Sequence, residues 1–439
     1  MKKLIYLSFS ALLLITCKKD DQTIIDCGGV TASSKPNILL IIADDFGLDA
    51  CPGYTIGSVK PNIPNIQNMM NTGVRYNNFW SYPTCTPTRS SILTGKYGFR
   101  TNVLKVGDVL STSETSLQTQ IGSSYSTAVI GKWHLSTVES HPTDMGVGYY
   151  AGLLSGATNS YTNWRLTENG ATSTNTDYIT SKITDLAIDW RAAQSKPWFL
   201  WLAYTAPHTP FHLPPDSLHS QGVLPTDAAS IAANPLPYYM AMVEAMDHEI
   251  GRLLNSMSQA ERDNTVIIFI GDNGTPGQAV QQYNSRRAKG SVYQGGINVP
   301  MIASGYDVSR TNQTDDALLG TVDLFATIAD LAGTGTTEDY DWQWNLSHYK
   351  DSIGGGYQFS GGLFNSSTWD SIIMNINLIV EDNSYSGDFQ IDPYAQMIEL
   401  PLDTATQCDI YGTLFSVRQQ NLTIYARPSS TYASCVNEP

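Results

Sequence analysis

Asn37-Ile38-Leu39-Leu40-Ile41-Ile42-Ala43, followed at once by Asp44-Asp45, is the stretch on which the fold turns. A strand with one wet face alternates apolar and polar residues; an unbroken apolar run is the mark of a strand buried on both faces. Similar runs return at Thr127–Ile130, Trp198–Ala203, Thr265–Ile270 and Val299–Ala303. Helical patterns lie between them. The clearest extends from Tyr238 to Met257, with apolar residues at 239, 242, 243, 246, 250, 253, 254 and 257, and another covers Val322–Leu331 and closes at Gly333. Buried strands alternating with amphipathic helices predict an α/β fold: a large mixed, mostly parallel sheet with helices on both faces, over residues 36–335. Beyond that the texture changes to Gly, Ser, Asn and aromatics, with short alternating stretches at Ile372–Val380 and Leu414–Tyr425. Residues 336–439 are therefore expected to form a smaller C-terminal α+β subdomain with an antiparallel sheet.

The chain of 439 residues carries 25 Lys and Arg against 40 Asp and Glu, a formal charge of −15. That balance argues against general nucleic-acid binding, which needs a basic face. A site for an anionic substrate must make its positive field locally. At the start, Met1-Lys2-Lys3 precedes an apolar stretch from Leu4 to Ile15, too short to span a bilayer, which ends at Thr16-Cys17 before Lys18-Lys19-Asp20-Asp21. This resembles a bacterial lipoprotein signal, with residues 1–16 removed, Cys17 lipidated as a membrane anchor and residues 17–35 as a tether. The expected location is the outer membrane of a Gram-negative bacterium, at the cell surface or facing the periplasm. In such an oxidising compartment Cys27, Cys51, Cys408 and Cys435 allow three disulfide pairings, of which Cys408–Cys435 closes a C-terminal loop.

The chemistry gathers at strand ends, where open α/β sheets place their sites. The first strand ends in Asp44-Asp45, and the Thr265–Ile270 run leads into Asp272-Asn273-Gly274. Three carboxylates and an amide at one sheet edge suit a hard divalent cation, Ca²⁺ or Mg²⁺. A second cluster is Cys85-Thr86-Pro87-Thr88-Arg89, continuing to Leu93-Thr94-Gly95. Thr86 is expected to cap a helix with Pro87 at its first position, which puts Arg89 one turn after Cys85 beside an N-terminus that favours anions.

On these residues the sequence resembles the type I, formylglycine-dependent sulfatases of the alkaline phosphatase superfamily. The Cys-x-Pro-x-Arg signature and its Leu-Thr-Gly tail stand without a gap at Cys85–Gly95. The likeness continues through Gly131-Lys132-Trp133-His134-Leu135, Ala206-Pro207-His208, Gly271-Asp272-Asn273-Gly274, and Lys289 before Gly295-Gly296. It implies an alkaline phosphatase/sulfatase-like fold, and oxidation of Cys85 to formylglycine by a dedicated modifying enzyme. It further implies one Ca²⁺ held by Asp44, Asp45, Asp272, Asn273 and the modified Cys85. Arg89 then steadies the formylglycine hydrate, and Lys132 and His134 contact nucleophile and sulfate. His208 and Lys289 take sulfate-binding and leaving-group positions, either being a candidate general acid. If the strand before them persists, Lys132 and His134 share one face. His141, His212, His219, His248 and His348 are read as ordinary satisfied residues, with His212 near enough to His208 to line the same cleft.

The resemblance implies hydrolysis of sulfate esters. The hydrate's two hydroxyls provide one to attack sulfur and another whose proton loss releases sulfate, while fixed cations offset the charge that repels an anionic nucleophile. One departure stands out. Where the family often has Glu-Gly-Gly-Ile-Arg-Val-Pro, this chain has Gln294-Gly295-Gly296-Ile297-Asn298-Val299-Pro300, an exchange of an ion pair for two amides. Just upstream, Arg286 and Arg287 are candidates for binding extra sulfates or uronates. Sulfated poly- or oligosaccharides are the expected substrates, with Trp80, Tyr82, Trp133, Tyr161 and Trp164 as rings that can stack on sugars. Two other readings stand beside this one: a formylglycine-type phosphate or phosphonate ester hydrolase, and an inactive glycan-binding surface lipoprotein.

Overall fold

The computed structural model describes residues 35–334 and, further on, the backbone of four short strands. The signal segment, the tether up to residue 34 (with Cys17 and Cys27), Cys408, Cys435, His348 and Ile372–Val380 lie outside the described residues.

Ten strands form one sheet: β1 (Asn37–Ala43), β2 (Gly73–Trp80), β3 (Ser126–Gly131), β4 (Tyr149–Gly152), β5 (Trp164–Glu168), β6 (Ala171–Asn175), β7 (Trp198–Ala203), β8 (Thr265–Gly271), β9 (Met301–Gly305) and β10 (Gln313–Gly320). Their order is β10-β2-β9-β8-β1-β7-β3-β4-β5-β6. The middle is parallel, with β1 between β8 and β7, and β3 and β4 beyond β7. β9 runs antiparallel to both β8 and β2, and β5 and β6 close the other edge as antiparallel strands.

The unbroken apolar character of β1 follows from its place between two cores. Leu39, Ile41 and Ala43 pack with Ile66, Met69, Ile183, Met242 and Ile250 from helices Pro64–Asn71, Ile179–Ala192 and Leu236–Asn255. Ile38, Leu40 and Ile42 face the other way, onto Ile92, Leu93, Leu117, Leu324 and Ile328 from helices Cys85–Thr94, Leu117–Ile121 and Asp323–Leu331. Successive side chains of a strand point to opposite faces, so each face receives every second residue. Burying one such side chain contributes about 1.5–3 kcal/mol.

Register then sets the site. Ala43 of β1 is level with Gly271 of β8, Ile42 with Ala203 of β7, and Ala203 with Gly131 of β3. Four parallel strands thus end together, and the residues that follow each of them leave from one edge. Gly131 is required there: its φ is +111°, and a Cβ would lie 1.9 Å from the Ala203 carbonyl oxygen.

Three expectations need adjustment. The Val299–Ala303 strand starts at Met301 instead, because Pro300 has no N–H to give a ladder and Val299 N–H donates to Phe79 O. At the far end of the chain, β11 (Gln390–Asp392), β12 (Met397–Glu399), β13 (Ser416–Gln419) and β14 (Leu422–Tyr425) form a sheet ordered β11-β12-β14-β13. It is mixed, not wholly antiparallel, since β12 pairs parallel with β14. The Leu414–Tyr425 stretch supplies two strands of that sheet in place of one.

Candidate active site

The shared strand edge brings the carboxylates together. After β1, Asp44 N–H donates to Ala206 O at 3.1 Å. Asp45 then turns into the left-handed region, φ 69°, and its N–H donates to Asp272 Oδ1 at 3.0 Å. The Asp45 carbonyl accepts from Tyr239 Oη at 2.8 Å, which ties the turn to helix Leu236–Asn255. After β8, Asp272 N–H donates to Ala43 O. Asp44, Asp45, Asp272 and Asn273 are all essentially inaccessible to solvent.

Three cations meet them. Lys132 Nζ lies 2.5 Å from Asp44 Oδ2, Arg89 Nη2 lies 2.8 Å from Asp272 Oδ2, and Lys289 Nζ donates to Asp45 Oδ2 at 2.6 Å. Arg89 also donates through Nη1 to Lys132 O at 2.8 Å, so one guanidinium joins two of the strand-end segments. Burial opposes ionisation of Asp272, yet Arg89 and Lys132 hold it well below the usual carboxylate range. Burial raises Asp44, against the pull of Lys132. Burial likewise acts to discharge Lys289, but Asp45 holds its ammonium well above the ordinary lysine value.

Cys85 sits beside this network. It is the first residue of helix Cys85–Thr94, 1% exposed, with Sγ 3.5 Å from Asp44 Oδ1. Burial, then Asp272, push its thiol well above the ordinary range. The cap differs from expectation: Thr84, in extended conformation, precedes the helix, and Thr86 and Pro87 are its second and third residues. Pro87 is tolerated because the first four N–H groups of a helix have no partner within it. Thr86 Oγ1 lies 3.2 Å from His134 Nε2.

The remaining predicted residues reach the same place by another route than expected. β3 stops at Gly131, so Lys132 and His134 do not share a strand face; His134 has a left-handed backbone, φ 57°. Trp133 and His134 N–H groups donate instead to Leu153 and Leu154 carbonyls. His208 follows β7 and holds Nε2 at 3.8 Å from Asp45 Oδ2. His212 is a supporting residue: its ring lies 4.2 Å from that of Tyr161, whose hydroxyl is 2.6 Å from His208 O. Donor atoms of Asp44, Asp45, Cys85 and His208 all lie within 4.8 Å of one another, a possible metal-binding group. Asn273 Nδ2 donates to Asp45 Oδ1, while its buried Oδ1 has no hydrogen-bond partner. A partnerless oxygen beside three carboxylates fits a hard cation.

Several residues support the site in roles the sequence did not indicate. Gly156 leaves room for His134, because a Cβ there would be 2.1 Å from Nε2. Tyr161 and Tyr239 hold backbone carbonyls at the site. Trp133, Tyr161 and Trp164 are core residues, 2–3% exposed, and are withdrawn as sugar platforms; Trp80 and Tyr82 are half-buried. Cys51 is buried and free among the described residues, and its three candidate partners lie outside them. The two amides do bond to each other: Asn298 Nδ2 donates to Gln294 Oε1 at 3.0 Å.

His134 supplies a pH test. Burial first, then Lys132 and Arg89, push it down to about 2 from 6.5. Below about pH 6.5 the unfolded chain takes a proton here that the folded chain refuses. This contribution to stability is therefore complete above that pH and declines as the pH is lowered. Thermal melts between pH 7 and 5 should show Tm falling less steeply in His134→Gln than in the parent; equal slopes would contradict the assignment.

The family model described as Sulfatase matches residues 36–334. The chain belongs to the sulfatase family. Mouse (Mus musculus) arylsulfatase G is 26% identical over 367 residues, covering 70% of this chain and 66% of its own length. Against that relative the sulfatase-family chain thus spans slightly less than two thirds. Among solved structures, i-CgsB in complex with k-i-k-neocarrahexaose aligns with TM-score 0.61 at 23% identity, covering 78% of this chain and 77% of that one. A second, solved with its substrate D-glucosamine-2-N,6-O-disulfate, aligns with TM-score 0.61 at 20% identity, over 74% of this chain and 82% of that one. The fold is that of the sulfatases.

Proposed function

We propose that this chain hydrolyses sulfate esters of sulfated poly- or oligosaccharides, with formylglycine made from Cys85 and one bound Ca²⁺. The observation that carries the reading is the position of Cys85 Sγ, 3.5 Å from Asp44 Oδ1 and within a cluster of three buried carboxylates and three buried or half-buried cations. Sγ stands where the hydroxyl oxygens of a formylglycine hydrate would be. Asp44, Asp45, Asp272 and Asn273 are the residues that would hold the metal, Asn273 through its partnerless Oδ1. A bound Ca²⁺ and a hydrated aldehyde together supply a nucleophilic hydroxyl of lowered pKa and a second hydroxyl whose deprotonation releases sulfate.

The chain's own groups do the rest. Lys132, Lys289 and Arg89 provide fixed positive charge against a sulfate ester in a protein whose net charge is unfavourable. Arg89 holds Asp272 and the Lys132 backbone in place, so the cluster is preorganised before substrate arrives. His208 and Lys289 both reach Asp45, and either is placed to protonate the departing alcohol. The substrate class is supported by the disulfated sugar named for one structural neighbour. The apolar run ending at Cys17 supports an outer-membrane lipoprotein, and the Cys85–Gly95 signature supports a partner that oxidises Cys85.

The test is a paired assay of matured protein on sulfate and phosphate esters of one alcohol, alongside a sulfated oligosaccharide. A clear preference for sulfate, extending to the oligosaccharide, is expected. Preference for phosphate would favour the ester-hydrolase alternative, and turnover of aryl sulfates with no sulfated glycan would remove the carbohydrate assignment.

A further inference from the structure

We propose that Arg286, Arg287 and Tyr293 form a second oxyanion subsite beside the catalytic cluster, for a further sulfate or carboxylate on the same glycan. The inference takes the neighbouring site from the sulfatase reading above. Several other arginines of this acidic chain lie against carboxylates: Arg89 on Asp272, Arg191 on Glu261, Arg252 on Glu249 and Asp185, Arg310 on Asp315. Arg286 and Arg287 do not. Both are exposed, and among the described residues neither has a carboxylate partner. Two adjacent guanidiniums left open in a chain of net charge −15 attract an anion from outside it.

Their placement is fixed. Arg286 N–H donates to Asn284 Oδ1 at 2.9 Å and Arg287 N–H to Asn284 O at 2.7 Å, which closes a single turn. The Arg287 guanidinium lies 4.5 Å from the Tyr293 ring centre, a cation–π contact that holds the fork while leaving its N–H donors available. Two residues on, Lys289 enters the cluster at Asp45, its N–H bonded to Thr275 O. Gly290 N–H bonds to Pro83 O, two residues before Cys85. The Cα atoms of Arg287 and Lys289 are therefore at most ~7 Å apart. Anionic substituents on neighbouring positions of a glycan are separated by distances of this order. Guanidinium binds sulfate or carboxylate oxygens bidentately, whereas a monosulfated aryl ester offers this loop nothing to hold.

Two measurements with the Arg286→Ala/Arg287→Ala full chain test the subsite. The first is anisotropy of fluorescein-labelled dextran sulfate with Cys85→Ala protein, with and without the double substitution. Affinity should fall about tenfold at low salt, and the difference should shrink as salt is added. Equal affinity in both backgrounds overturns the proposal. The second compares kcat/KM for a disulfated disaccharide and 4-nitrophenyl sulfate in matured protein. The ratio between them should drop about tenfold in the double variant if the second group is a sulfate. With a uronate-containing monosulfated disaccharide as third substrate, the larger drop identifies the anion; no drop in either ratio overturns the subsite. Parent protein inactive on every sulfate ester would sink the sulfatase reading, while the anisotropy comparison still decides the subsite.

Discussion

A Cys85→Ala chain is expected to lose roughly four to six orders of magnitude in kcat on sulfate esters while melting close to the parent. The stability half follows from position. Cys85 opens helix Cys85–Thr94, and among the described residues its thiol's hydrogen-bond contact is the 3.5 Å approach to Asp44. Alanine is the better helix former, and what is removed is one buried sulfur. The kinetic half follows from chemistry, since without this side chain no nucleophile stands in the cluster. Cys85→Ser separates the roles further. Serine offers one hydroxyl for attack and no second one for release, so a single sulfation that stays on the protein is expected in place of turnover. Intact-mass spectra after incubation with substrate would show it. An alanine variant retaining more than about a hundredth of the activity would mean the nucleophile lies elsewhere.

Arg89→Ala is the substitution with the largest expected cost to the fold. Arg89 and Asp272 are both fully buried and 2.8 Å apart. Removing the cation leaves Asp272 facing Asp44 and Asp45 with less compensation, and breaking such a pair from one side costs about 3–5 kcal/mol. The Lys132 carbonyl loses its donor as well. Arg89→Lys should recover part of the loss, because an ammonium can serve Asp272 or the carbonyl but has no fork for both. Added Ca²⁺ should raise Tm more in Arg89→Ala than in the parent, as a cation on Asp272 replaces the missing charge. Thermal melts of all three chains with and without Ca²⁺ check this. An alanine variant as stable as the parent would show that Asp272 is not carried as a buried anion.

What the sequence made legible was the part where burial and chemistry coincide. The runs at β1, β7 and β8 could be read because strands covered on both faces leave no room for polar residues, and the carboxylates after β1 and β8 stood out against them. β2, β5, β6 and β10, toward the sheet edges, carry polar and half-exposed residues and gave no comparable run. The helix cap was misplaced because threonines flank Cys85 on both sides, and only the extended backbone of Thr84 distinguishes them. Tyr239 was invisible for another reason. It works on Asp45, 194 residues away, and nothing in a local pattern encodes that contact. The shared strand face expected for Lys132 and His134 is absent, since the chain leaves β3 at Gly131 and is held by Leu153 and Leu154 instead.

Active protein is expected to carry an aldehyde at position 85. Peptide mass spectrometry across Thr84–Arg89, on material made with a modifying enzyme and assayed in parallel, tests this most directly. The expected result is a mass in which CHO has replaced CH₂SH, with specific activity rising in proportion to the converted fraction. Full activity in protein whose Cys85 is entirely thiol would contradict it.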